Sequence, residues 1–148
     1  MTVQVLRNTK FLKSNPVTRA FLLLMARMAP LDLTNGRKVD IGKSLAQYNR
    51  AEYHHVFPQA FLKSRGMPDD EISCVLNFCF LPSDSNKAIS KTSPSDYFFS
   101  LVPEQDFNGI LASNLLPISK QLYKDNDYNG FLEKRAGTVL SKLDELTN

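Results

Sequence analysis

The chain has no tryptophan, only two histidines and two cysteines, and no long apolar run among its 148 residues. The longest such run, Phe21 to Ala26, is far below the roughly 20 residues that a membrane-spanning helix needs. Met1 is not followed by an apolar stretch that ends in a small-residue cleavage site. The sequence therefore predicts neither a membrane span nor a secretory signal, and we expect a cytoplasmic protein.

The two cysteines, Cys74 and Cys79, lie in one apolar segment. If that segment is a strand, their odd separation places them on opposite faces, which argues against a disulfide and favours buried free thiols. No Cys-x-x-Cys pair is present, so a structural zinc site is disfavoured. A Gly-rich phosphate-binding loop is also missing, and nucleotide hydrolysis within this chain is not expected.

The composition is that of a soluble globular protein, with 43% hydrophobic and 22% charged residues, and its length suits one domain. The net charge is +3, but the charges are unevenly divided. Residues 1–65 contain 11 Lys and Arg against three Asp and Glu, whereas residues 66–148 contain seven against 12. The basic half would attract a polyanion such as nucleic acid. On charge alone, chance clustering on a solvated surface is the alternative.

Helical patterns lie on either side of the centre of the chain. Asn15-Pro16 is a typical helix start and predicts a helix over 17–28 that is apolar almost all round. Apolar residues that recur about every 3.6 residues predict an amphipathic helix over 128–146. The acidic stretch from Asp125 to Asp127 would cap its start and interact favourably with the helix dipole. Shorter helices are expected at 85–90, from Pro94 and over 107–115.

The centre of the chain carries strand-forming residues. Residues 51–56 and 75–81 are rich in such residues and predict the two strands of a hairpin. The polar region 66–71 between them is expected to be a loop. Asn35-Gly36 is a separate turn signal between short segments.

The only histidines, His54 and His55, are adjacent and precede Phe57-Pro58. Downstream, Asn77 lies in an apolar run and Asn86 follows nine residues later. Strand, loop, strand and helix in that order would bring both histidines close to Asn86. Neighbouring residues of a regular strand point to opposite faces, so one core and one surface histidine is the alternative. Asn77 could likewise be a bulge residue and Asn86 a helix cap.

These residues resemble the HNH, or ββα-metal, nuclease motif over 51–97. The segment is most similar to the C-terminal nuclease domain of the DUF1524 family, found in modification-dependent restriction enzymes of the GmrSD kind. The run from His54 to Lys63 is also similar to the HNH domain of CRISPR effector nucleases. The resemblance implies an α+β fold in which a ββα-metal hairpin-helix core, about 51–91, is embedded in a mainly helical single domain. Its helical flanks would be 15–29 and 94–146 of the domain 1–148.

The resemblance also implies roles for the site residues. His55 matches the general base, and Asn77 matches a catalytic-site residue whose side chain ties the base-bearing loop to the second strand. The metal ligands would be His54, Asn86 and Glu52. The family usually has Asp where this chain has His54. A neutral ligand weakens the hold on Mg²⁺ and favours Mn²⁺, Co²⁺, Ni²⁺ or Zn²⁺.

The resemblance therefore implies a divalent-metal endonuclease, with Mg²⁺ or Mn²⁺ expected first, that hydrolyses phosphodiester bonds of double-stranded DNA. Arg50, Lys63, Lys87 and Lys91 would contact the phosphate backbone. Such a domain would serve restriction or phage defence, beside an upstream nucleotide-hydrolysing domain or subunit. The alternatives are a catalytically weak or inactive nucleic-acid-binding module and a regulatory partner domain.

Overall fold

The computed structural model describes residues 1–49 and 54–148, and helices dominate them. The α-helices are α1 (Val3–Asn8), α2 (Pro16–Arg27), α3 (Ile41–Asn49), α4 (Gln59–Ser64), α5 (Asp69–Ile72), α6 (Ser83–Ile89), α7 (Pro94–Ser100), α8 (Phe107–Ser113), α9 (Lys120–Lys124) and α10 (Tyr128–Thr147). Two 3₁₀ turns occupy Val75–Asn77 and Glu104–Asp106. In this part of the chain no helix is both long and apolar enough to cross a membrane.

The predicted α+β fold with a ββα-metal core is wrong. No named strand forms within the described residues, which hold only three isolated antiparallel pairs: Lys10–Cys74, Leu31–Lys38 and His55–Phe78. Of the first predicted strand, 51–53 lies outside the described residues. The second is replaced by the 3₁₀ turn and the extended residues after it. Its backbone carbonyls find side-chain donors in place of a partner strand.

The long helices begin where the sequence predicts. The Asn15 side chain accepts a hydrogen bond from the Val17 N–H at 2.8 Å and caps α2. The Asp127 side chain accepts one from the Gly130 N–H at 2.9 Å and caps α10. Both bonds satisfy amide donors that have no partner inside the helix. The local signals at these two helix starts are confirmed.

A continuous cluster of buried side chains joins the helices, and α10 supplies its longest face. The Phe57 ring packs between two rings of that face, 5.1 Å from Tyr128 and 4.9 Å from Phe131. α10 also contacts α1 and the 3₁₀ turn at Val75–Asn77. The segment after the two histidines therefore rests directly on α10.

Both cysteines are buried free thiols, as predicted. Burial raises the pKa of Cys74, and it raises that of Cys79 to about 12, with a smaller contribution from the Asp32 carboxylate. The expected loop at 66–71 is only partly correct, because α5 begins inside it at Asp69. The short helix expected at 85–90 begins two residues earlier, at Ser83.

Candidate functional site

The histidine pair lies on a short stretch of backbone that is fixed to residues 77–79. The Val56 N–H donates to the Asn77 carbonyl at 2.8 Å, and the Cys79 N–H donates to the His54 carbonyl at 3.2 Å. These two bonds enclose the antiparallel pair His55–Phe78. The result is one paired position and not a hairpin, but it fixes the backbone on both sides of His55.

The Asn77 side chain ties the loop after the histidines to the 3₁₀ turn at Val75–Asn77. Its Oδ1 accepts from the Phe57 N–H at 2.8 Å, and its Nδ2 donates to the Phe57 carbonyl at 3.1 Å. The same amide nitrogen donates to the Ile72 carbonyl at 3.1 Å. Asn77 is fully buried, so these bonds satisfy both backbone groups of Phe57 inside the core.

A tyrosine hydroxyl holds the same segment from another helix. The Tyr97 hydroxyl, on α7, donates to the Val56 carbonyl at 2.5 Å. Tyr97 and Val56 have no exposed surface, and burial raises the tyrosine pKa well above its usual value. The hydroxyl therefore stays protonated and keeps its role as donor. Side chains thus hold the backbone of residues 56 and 57 where a partner strand would do so in a sheet.

A buried arginine of α10 holds the backbone on either side of Asn77. The Arg135 guanidinium donates to the carbonyls of Leu76 at 2.5 Å and Phe78 at 2.6 Å, which flank Asn77. It also donates to the Asn114 carbonyl at 2.9 Å. Arg135 is fully buried, with Phe21 under its guanidinium at 5.2 Å. Burial lowers its pKa to about 10, so the side chain is still a cation at neutral pH.

The two histidines have different surroundings. His54 is buried at 7% exposure, and both of its ring nitrogens are shielded from solvent. His54 is opposite Cys79 in the pairing, so the two side chains lie on the inner face. His55 lies on the other face, half-buried, with its ring 4.7 Å from that of Phe78. The sequence alternative of one core and one surface histidine fits His54, whereas His55 is half-buried and not a surface residue.

The His55 imidazole is neutral at physiological pH. Burial, and then the neighbouring His54, lower its pKa from 6.5 to about 4. The ring makes no hydrogen bond to the described part of the chain. Neutral imidazole can accept a proton or bind a metal ion through either nitrogen, depending on the tautomer. His55 is therefore the described histidine that combines accessibility with this chemistry.

Asn86 lies on α6, a helix anchored to a turn elsewhere in the chain. Its neighbour Ser85 is buried and donates to the Asp32 carboxylate at 2.5 Å. Asp32 is also buried and accepts from the backbone N–H and the hydroxyl of Thr34. The half-buried Asn86 amide makes no hydrogen bond to the described residues, so it does not cap the helix. It is available to a ligand.

The basic residues proposed for phosphate contact are spread over separate elements. Lys63 is exposed on α4 and Lys87 is exposed on α6. Lys91 is exposed too, but it follows the end of α6 at Ile89 and so does not share that helix with Lys87. Arg50 and Glu52 lie outside the described residues.

The sequence reasoning missed Arg135, Asp32 and Tyr97. Arg135 left a signal, because it falls on the apolar stripe of α10, four residues from both Phe131 and Val139. A charged residue on a buried stripe predicts a buried polar contact. Asp32 and Tyr97 left no comparable pattern, because their partners are distant in sequence.

Comparisons with known proteins add one relative and no activity. No protein-family model and no solved structure matches the chain. The chain is 28% identical over 123 residues to uncharacterized protein MJ0686 of Methanocaldococcus jannaschii. The matched region covers 67% of this chain and 21% of the relative. The chain thus spans about a fifth of the relative's length. The HNH and DUF1524 resemblance stays a prediction.

Proposed function

We propose that this chain is a nuclease domain that hydrolyses DNA phosphodiester bonds with His55 as general base. The observation that carries the proposal is the state of His55, a neutral, half-buried imidazole with no hydrogen bond to the described chain. Its backbone is fixed by the pairing with Phe78 and by the Asn77 side chain. A preorganised base costs little reorganisation at the moment of reaction.

His55 would take a proton from a water molecule as the water oxygen attacks phosphorus and the bond to the leaving 3′ oxygen breaks. A base with a pKa of about 4 is weak in the free protein. A phosphate anion bound beside the ring stabilises the imidazolium and raises that pKa towards the working range. Substrate binding would therefore strengthen the base.

The donors for a metal ion fit this proposal in part. The Asn86 amide offers a half-buried oxygen without a hydrogen-bond partner in the described chain, and the resemblance adds the carboxylate of Glu52. His54 is the weaker candidate, because its ring nitrogens are shielded from solvent. No group of three His, Cys, Asp or Glu residues gathers within the described ranges. A divalent ion, when bound, would neutralise charge that develops on the phosphate.

The test is nicking of supercoiled plasmid by the purified chain in EDTA or with Mg²⁺, Mn²⁺, Co²⁺, Ni²⁺ or Zn²⁺. We expect metal-dependent nicking that falls at least about 100-fold in His55→Ala, the usual scale for loss of a general base. Asn86→Ala should raise the metal concentration needed for half-maximal nicking. Asn108→Ala is the matched control, because Asn108 is exposed on α8.

Two results would contradict the proposal. Nicking that is equal in wild type and His55→Ala would remove His55 from the reaction and indicate a contaminating nuclease. No nicking with any ion, together with salt-sensitive DNA binding, would favour the nucleic-acid-binding module.

A further inference from the structure

The turn at residues 31–38 is fixed against α6, the helix that carries Asn86. Thr34 Oγ1 and Ser85 Oγ lie 3.0 Å apart, and Ser85 donates to the buried Asp32 carboxylate. The turn itself is closed by the Asp32 N–H, which donates to the Arg37 carbonyl at 2.7 Å. A buried polar network of this kind holds two elements in one relative position.

The start of α3 lies across a cleft from the start of α6. A cleft of about 260 Å³ lies between the two helix starts, with Asp40, Lys43 and Ser44 on one side and residues 82–84 on the other. The Asp40 side chain accepts from the Lys43 N–H at 3.1 Å and thereby orders the first turn of α3. α6 is therefore a neighbour of both the turn and the start of α3, although it is distant from them in sequence.

This neighbourhood collects positive charge on its surface. The three elements and the residues directly after α6 carry five exposed basic side chains: Arg37, Lys38, Lys43, Lys87 and Lys91. None of the five forms an ion pair within the described chain, where the ion pairs are Arg7–Glu133, Lys10–Asp70 and Lys142–Glu145. The exposed carboxylates beside them are Asp40 and Asp84. The surface keeps an excess of cations.

We propose that these five side chains, here called the α3–α6 basic face, form the docking surface for the phosphate backbone of double-stranded DNA. The proposal deepens the nuclease proposal and rests on it for the identity of the polyanion. Three of the residues, Arg37, Lys38 and Lys43, come from elements outside the segment that resembles a nuclease. Lys87 directly follows Asn86 in α6, so DNA held by this face would pass close to Asn86, the candidate metal ligand.

Exposed lysines elsewhere have different neighbours. Lys120 and Lys124 lie over the rings of Phe107 and Phe99, at 5.0 and 5.6 Å. Lys134 is exposed on α10 directly after Glu133, and that helix ends in the acidic residues 144–145. These three lysines carry the same formal charge as Arg37, Lys38 and Lys43. They therefore provide a control for nonspecific attraction.

The experiment measures affinity for a short fluorescent DNA duplex by anisotropy in EDTA, where metal-dependent cleavage does not occur. It compares wild type with Arg37→Gln/Lys38→Gln/Lys43→Gln and with the control Lys120→Gln/Lys124→Gln/Lys134→Gln. We expect the first triple variant to lose about tenfold or more in affinity. Its slope of log affinity against log salt should shrink by about 0.9 for each phosphate contact removed. The control should lose less than about threefold.

Equal loss in both triple variants, or greater loss in the control, would overturn the assignment of this face. Absence of wild-type binding to the duplex in EDTA would overturn it as well. Plasmid nicking by wild type and His55→Ala is scored separately and decides the nuclease proposal. If wild type nicks in a His55-dependent way while Arg37→Gln/Lys38→Gln/Lys43→Gln binds normally, only the docking surface is wrong.

Discussion

Helix α10 and the segment from His54 to Pro82 keep their backbones in place in opposite ways. α10 satisfies its backbone groups within one regular element, so its sequence needs only a periodic apolar face and a cap. Outside its short helices, the histidine segment has only isolated paired positions and depends on polar side chains, chiefly its own Asn77 and the distant Tyr97 and Arg135. The regular helix can tolerate surface changes, whereas the irregular segment depends on single polar residues.

Arg135→Met should give the largest loss of stability. The substitution keeps apolar volume but removes the donors for the carbonyls of Leu76, Phe78 and Asn114 inside the core. We expect the free energy of unfolding to fall by about 3–5 kcal/mol. Urea titration followed by circular dichroism measures it. Lys134→Ala, one residue earlier and exposed, should change stability by less than about 0.5 kcal/mol. Similar values for the two variants would refute the role of Arg135.

Asn77→Ala should give the second largest loss of stability, and comparison with Asn86→Ala distinguishes the structural asparagine from the one whose side chain makes no hydrogen bond to the described chain. It leaves the amide and carbonyl of Phe57 unsatisfied in the core, so we expect a loss of about 2–4 kcal/mol in the free energy of unfolding. Asn86→Ala removes no hydrogen bond to the described chain and should cost less than about 0.5 kcal/mol. Equal costs in parallel urea titrations would contradict this division.

His55 should make stability depend on pH. Its pKa is about 4 in the folded chain against an ordinary value of 6.5, so the unfolded chain binds more protons between these values. Stability is then full above pH 6.5 and decreases as the pH falls towards 4. We expect a decrease of about 2 kcal/mol, because solvent screening of the half-buried ring reduces the full effect. The difference between wild type and His55→Gln across this range isolates the contribution, and a constant difference would contradict it.

Substitutions at two glycines should give the smallest changes in stability. Gly137 lies in α10 with open space where an added methyl group would lie, and Gly66 follows α4 with φ of +77°. Gly137→Ala should stabilise the chain by about 0.5–1 kcal/mol, because alanine favours the helix. Gly66→Ala should destabilise it by about 1 kcal/mol, because a side chain disfavours positive φ. Thermal unfolding of both variants checks the opposite signs.

The sequence predicted the elements whose signals are local. The caps at Asn15 and Asp127 and the apolar period of α10 mark helix starts and faces within a few residues. The second predicted strand failed because residues 75–81 are strand formers by propensity, but the carbonyls of Leu76 and Phe78 find their donor in the distant Arg135 side chain. Propensity describes a preference for pleated surroundings and cannot reveal such partners.

The sequence selects candidate site residues but does not reveal how they are arranged. The adjacent histidines and Asn77 could be selected from the sequence. The burial of His54 depends on which face of the pairing enters the core. The link from Asp32 to Ser85 joins residues more than 50 positions apart and left no local signal.

The measurement that tests the central claim most directly is the single-turnover rate of plasmid nicking by His55→Ala, beside wild type and with urea titrations of both. The account predicts a variant that is folded and binds DNA but nicks at least about 100-fold more slowly at the optimal metal concentration. A folded His55→Ala protein that nicks as fast as wild type would contradict it.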